Sequence, residues 1–166
     1  TWEDEFKQHF FAAPLSDKPI TDAMDLMSEW NTDVAGTSEA AFTPDGKNLV
    51  FSAKIPASDQ AWHTNFDIFQ VALKGGNKIN LTKDNPAWDA KPSFSADGRY
   101  MAYLAMKKPV YEADRFGLML LDLATGERKE VSPDWDRSID DYQFGPDNRT
   151  LYVTAQDVGQ KGIFSI

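Results

Sequence analysis

Glu39-Ala-Ala-Phe-Thr-Pro-Asp-Gly-Lys-Asn-Leu-Val-Phe-Ser-Ala53 returns twice in altered form. It comes back as Lys91-Pro-Ser-Phe-Ser-Ala-Asp-Gly-Arg-Tyr-Met-Ala-Tyr-Leu-Ala105 and as Asp141-Tyr-Gln-Phe-Gly-Pro-Asp-Asn-Arg-Thr-Leu-Tyr-Val-Thr-Ala155. The marker phenylalanines Phe42, Phe94 and Phe144 stand 52 and 50 residues apart. A period near 50 in a strand-rich chain points to propeller blades. Each copy reads as a turn followed by an apolar strand. In Pro44-Asp45-Gly46, proline presets φ, aspartate bonds the local backbone and glycine takes a left-handed φ. Ala96-Asp97-Gly98 keeps two of the three, and Pro146-Asp147-Asn148 puts asparagine in the left-handed position. The runs that follow are apolar on both faces, as strands between neighbouring sheets should be.

A third strand is expected at 66–73, 117–123 and 162–166, and a more polar fourth strand ending at Leu81-Thr82 and Val131-Ser132. Four antiparallel strands per unit make a blade. The fold class is therefore all-β, a partial β-propeller of four-stranded antiparallel blades. Residues 1–27 are expected to supply the third and fourth strands of an incomplete blade, with His9 to Leu15 and Ile20 to Met27 as those strands. Complete blades are expected over 28–82 and 83–132, and the first three strands of another over 133–166. Such an arc belongs to a larger propeller, and two copies could pair through its exposed blade edges.

Composition narrows the function classes. The chain has 166 residues, 42% hydrophobic and 26% charged, which reads as globular. No apolar run approaches the length of a membrane span. The formal net charge of −9 repels phosphate backbones, so nucleic acid is not an expected partner. Absence of cysteine removes thiol catalysis, disulfides and cysteine metal sites. Two histidines, the lack of calcium-loop spacing and the lack of a Gly-x-Ser-x-Gly elbow leave no expected metal, cofactor or catalytic residue.

Antiparallel strands place alternate loops on opposite faces of a blade. The tight Pro-Asp-Gly and Thr-Gly turns share one face. The other receives the long segments 55–65, 84–90, 107–116 and 133–140, and is the expected binding face. Trp62, His63, Trp88 and Trp135 lie there; the tryptophans read either as wedges between blades or as ligand contacts. Glu112, Asp114 and Arg115 read either as an internal ion pair or as a carboxylate cluster presented to a cation.

The short repeat resembles the propellers of TolB-type proteins and of prolyl oligopeptidase-family serine peptidases. Longer strings favour the second: Asn85-Pro-Ala-Trp-Asp-Ala90, Tyr111-Glu-Ala-Asp-Arg-Phe116, Pro133-Asp-Trp-Asp-Arg-Ser138 and Trp62-His-Thr-Asn-Phe-Asp67. They resemble the propeller of bacterial dipeptidyl and acylaminoacyl peptidases of the alanyl dipeptidyl peptidase type. That resemblance implies a propeller that gates and positions short peptides for a C-terminal α/β-hydrolase domain with a Ser-Asp-His triad. It implies a periplasmic or secreted parent, and carboxylates that bind the substrate's free amino terminus. Glu112 and Asp114 are the candidates for that contact, with Arg115, Phe116, Trp62, His63 and Trp88 around them. The alternatives are a TolB-like protein-binding propeller and a carbohydrate-active one that stacks sugars on Trp62, Trp88 and Trp135.

Overall fold

The computed structural model describes residues 7–32, 34–58 and 62–166. They form antiparallel sheets that follow one another along the chain. A two-stranded sheet pairs β1 (Phe11–Ala12) with β2 (Met24–Asp25). The first four-stranded sheet runs β3 (Ala40–Phe42), β4 (Asn48–Ala53), β5 (Asp67–Ala72) and β6 (Ile79–Asn80). The second runs β7 (Asp89–Phe94), β8 (Tyr100–Ala105), β9 (Gly117–Asp122) and β10 (Arg128–Glu130). The last holds β11 (Ile139–Phe144), β12 (Leu151–Asp157) and β13 (Gln160–Ser165). Neighbours in each sheet are consecutive in sequence, the meander of a propeller blade.

The turn chemistry read from the repeat is present. The Asp45 carboxylate accepts from the Thr43 hydroxyl at 2.7 Å and the Lys47 amide at 3.1 Å. Asp97 repeats this with Ser95 and Arg99. At the third turn Gly145 offers no hydroxyl, and Thr150 supplies one instead, donating to Asp147 Oδ2 at 2.7 Å. Hydrogen bonds from the Thr150 amide and hydroxyl and from the Arg149 amide hold the Asp147 carboxyl down at about 2. Gly46, Gly98 and Asn148 take φ of 66°, 71° and 55°.

Three apolar clusters fill the spaces between successive sheets. Phe51, Phe69 and Val71 of the first sheet pack on Leu26, Met27, Phe10 and Trp30. Val50 and Ile68, on its opposite face, pack on Met101, Tyr103 and Leu121 of the second sheet. Ala102, Leu104 and Leu118 pack on Ile139, Leu151 and Val153 of the third. Strand two of the first and second sheets, β4 and β8, is thus buried on both faces, which explains its continuous apolar run. Lys91, at φ 52° beside a bulge in β7, joins three sheets. Its amide donates to Glu39 Oε2, its ammonium to the Asp140 carbonyl, and its carbonyl accepts from the Tyr142 hydroxyl.

Three details differ from the sequence expectation. The pairing of β1 with β2 covers two residues on each strand, not the whole of 9–15 and 20–27. The prolines at 14 and 19 lie outside the paired residues, as a residue without an N–H should. The fourth strands stop at Asn80 and Glu130, although the Leu81 and Val131 amides still donate to the Ile68 and Leu118 carbonyls at 2.8 and 2.9 Å. The third sheet joins strands two and three by a tight turn at Val158 and Gly159, both at positive φ, so it has no long loop there.

Candidate functional site

The segments 54–66 and 106–116 leave the ends of β4 and β8 on the same face, beside the connections 81–88 and 131–138. The loop that follows β8 is held from within. Asp114 Oδ2 accepts from the Lys107 and Lys108 amides, each at 2.8 Å. Burial pulls the Asp114 carboxyl upward, but these amides outweigh it and hold it below the usual range. Arg115 Nη2 donates to Glu130 Oε1 at 2.6 Å, and Lys107 Nζ sits 2.6 Å from Glu130 Oε2. Burial pulls Glu130 upward too, and its two cations more than offset this, leaving it lowered.

Register explains the Arg115–Glu130 pair. Glu130 is cross-strand partner of Met119, and so stands beside Gly117, the first residue of β9. A Cβ at Gly117 would run into Glu130 Oε1. The equivalent position in the first sheet reverses the arrangement. There strand three carries the carboxylate, Asp67, and strand four the amide, Asn80, which donates to Asp67 Oδ2 at 2.8 Å.

Glu112 differs from its two neighbours in the loop. It is exposed, and no hydrogen bond reaches its side chain among the described residues. Its charge acts on Lys54 of the first sheet, whose ammonium donates to the His63 carbonyl at 2.9 Å and lies 5.1 Å from the Phe66 ring centre. Burial keeps the Lys54 ammonium below its ordinary value despite Glu112.

An aromatic row adjoins these charges. Trp88 stacks on Phe66 at 4.8 Å and meets Phe116 edge-on at 5.7 Å. The indole Nε1 of Trp88 and Nη1 of Arg115 are buried with no hydrogen-bond partner among the described residues. Trp62, at 81% exposure, projects into solvent. Trp135 meets Phe164 edge-on at 5.1 Å. The structure thus brings Phe116, Trp88 and Arg115 together near His63, while Trp62 stands apart; residues 59–61 of that segment lie outside the described residues. The sequence reading missed Lys54, Phe66 and Glu130. Two of them are single polar residues at strand ends, and only the sheet register brings them to the site.

Beneath the row, Asp67 and Asp89 are both buried, at 2% and 0% exposure. The Asp89 amide donates to the Phe66 carbonyl at 2.7 Å, which sets the two aspartates side by side across the sheets. Asp89 Oδ1 accepts from the Asn85 side-chain amide at 2.8 Å; Asp67 Oδ1 and Asp89 Oδ2 have no partner among the described residues. Burial pushes the Asp89 carboxyl up to about 7, opposed by the Asn85 amide and the nearby Thr82 hydroxyl, helped by the Asp67 charge and opposed least by the Arg128 guanidinium.

No family model matches the chain. Dipeptidyl-peptidase 5 of Porphyromonas gingivalis is 30% identical to it over 173 residues, which cover 99% of this chain and 25% of that protein. Dipeptidyl-peptidase 5 of Porphyromonas endodontalis is 35% identical over 128 residues, covering 72% of this chain and 18% of that protein. The chain is a homologue of dipeptidyl-peptidase 5. It spans about a quarter of the length of these curated relatives. The sequence resemblance to that peptidase type is the one found. Among solved structures, TolB of Agrobacterium tumefaciens matches with a TM-score of 0.62 at 18% identity, over 89% of this chain and 48% of that one; this likeness is one of fold.

Against the dipeptidyl-peptidase 5 background, the described residues hold no group of three or more metal-ligating side chains. No helix among them is long and apolar enough to cross a membrane.

Proposed function

We propose that this chain is the non-catalytic propeller part of a dipeptidyl-peptidase 5-type serine peptidase, gating access and positioning short peptides for an α/β-hydrolase domain. The observation that carries the reading is homology to that peptidase along 99% of the chain. Its long loops gather on one face, where such a domain would dock. Glu112 is the residue we assign to the substrate's free ammonium. Asp114 and Arg115 are positioning residues: Asp114 Oδ2 is engaged within the loop and Arg115 Nη2 with Glu130, and so they fix where Glu112 stands. Trp88 and Phe116 give the contact an apolar wall, and His63 borders it. Charge pairing there is stronger than in open water. The sugar-stacking alternative is weaker, because Trp88 and Trp135 pack against Phe66, Phe116 and Phe164, leaving Trp62 as the one exposed ring of the three.

In the peptidase carrying this propeller, Glu112→Gln should raise KM for free-amine substrates about tenfold, the scale of a charge-assisted hydrogen bond. KM for N-acetylated substrates should stay within twofold. Equal effects on both series would remove the amine-site reading.

A further inference from the structure

Three connections enter the sheets by the same turn. The amides of Trp30, Asn85 and Trp135 donate to the carbonyls of Met27, Thr82 and Ser132 at 2.9, 2.9 and 3.2 Å. Four residues further on, Val34, Asp89 and Ile139 pair with Ala53, Ala105 and Ala155, the residues that end the three copies of the repeat. Strand three supplies Phe69, Met119 and Phe164 at equivalent positions, opposite Phe51, Tyr103 and Val153. Trp30 meets Phe69 edge-on at 4.8 Å, and Trp135 meets Phe164 at 5.1 Å. The outer two connections thus share a tryptophan, a phenylalanine and a buried β-branched residue. The middle one has Asn85, Met119 and Asp89 instead. Its tryptophan, Trp88, comes three residues later and stacks on Phe66 at the long-loop face.

Polar side chains in place of an apolar wedge are costly unless their hydrogen bonds are made, and a sequence that breaks its own pattern does so most often at a functional site. Asn85 uses its whole carboxamide. Its Nδ2 donates to Asp89 Oδ1 at 2.8 Å and to the Met106 carbonyl at 3.0 Å, and its Oδ1 accepts from the Ala87 amide at 3.3 Å. Met106 is the last residue before the loop 107–116, and its amide donates to the Trp88 carbonyl at 2.8 Å. One side chain therefore joins the connection that carries Trp88 to the strand end from which the loop of Glu112 departs.

We propose that Asn85 is a positioning residue of the ligand site: by donating to the Met106 carbonyl it fixes the loop of Glu112 against the wall made by Trp88. The proposal rests on the amine-site reading and adds to it the residue that sets the spacing between carboxylate and apolar wall. Asn85 acts through the two elements it joins. Asp89 holds the other N–H of the carboxamide and so keeps its orientation.

The test titrates the chain and two variants with alanyl-alanine amide and with its N-acetylated form, and follows amide exchange at 107–117. Asn85→Ala removes both donors. Combining Asn85→Asp with Asp89→Asn reverses the hydrogen bond between the two positions, yet leaves nothing to donate to the Met106 carbonyl. In both variants the preference for the free amine should fall about fivefold, the scale of one hydrogen bond. The loop amides should exchange about tenfold faster. A merely structural role would weaken both peptides alike; an unchanged ratio overturns the proposal. So does a reversed pair that keeps the preference of the parent, because Asn85 would then be no more than a partner for Asp89. If Asn85→Ala does not fold, the reversed pair decides by the same two readings, and its own failure to fold would make the Met106 bond structural and overturn the proposal. A parent chain with no preference removes the amine-site reading instead. Loop exchange in the variants then decides for Asn85, and unchanged exchange overturns its role.

Discussion

Asp89→Asn is expected to stabilise the protein at pH 8, and by distinctly less at pH 5. The folded-state value of Asp89, about 7, lies above the ordinary 3.8, because the carboxyl is buried next to Asp67. The native state therefore keeps a proton that the unfolded chain has lost. The stability this lends is fully present below pH 4, is lost as pH rises through 7, and is flat beyond. A displacement of about three pH units corresponds to about 4 kcal/mol across that window. Asparagine does not titrate, and its side-chain oxygen can still accept from Asn85. Urea unfolding of both proteins at pH 5 and pH 8 reads the difference. Asp67, also raised by burial, leaves a smaller slope of the same sign in the variant. Parallel pH profiles for the two proteins would show that Asp89 is not protonated in the joint between the sheets.

Glu130→Ala should cost about 3 kcal/mol, near the low end for breaking a buried pair from one side. The side chain of Glu130 is 9% exposed and that of Arg115 is 22% exposed, so the guanidinium is left inside without its anion. The loop 107–116 then loses its tie to β10, and its amides should exchange with solvent at least tenfold faster. Glu130→Gln keeps an acceptor for Arg115 and should lose less. Because the Glu130 carboxyl is held below its ordinary value, its contribution is present above about pH 4.5 and disappears as pH falls through the lowered value. With Asp89 weakening the fold above about pH 4, the two contributions fall away on opposite sides of about pH 4. Unfolding within 0.5 kcal/mol of the parent and unchanged exchange would contradict this, the margin of an ordinary surface change.

Much of the fold was legible because it is written in local chemistry. The Asp45, Asp97 and Asp147 turns are short-range devices, and the spacing of Phe42, Phe94 and Phe144 exposes the repeat. The site was less legible because its contacts are made by register. Glu112, Asp114 and Arg115 look like one charge cluster in sequence. In the fold Asp114 turns inward to two amides and Arg115 reaches 15 residues ahead to Glu130, leaving only Glu112 presented. Asp89 gives no sign of its role in the sequence; its partner is the Asn85 side chain, and its burial comes from the sheet next door. Ala96 and Asn148 read as two mild lapses of the repeat. They compensate each other across a boundary that no single copy reveals. The tight turn at Val158 and Gly159 was missed although Gly159 signals it, because β-branched Val158 at φ 49° is a poor match to such turns.

The measurement closest to the central claim is a titration of the chain itself with alanyl-alanine amide and with its N-acetylated form, followed by NMR shifts at 107–117. The account predicts binding of the free amine at least tenfold tighter than that of the acetylated peptide, and loss of that preference in Glu112→Gln. Equal affinity for the two peptides, or an undiminished preference in the variant, would contradict it.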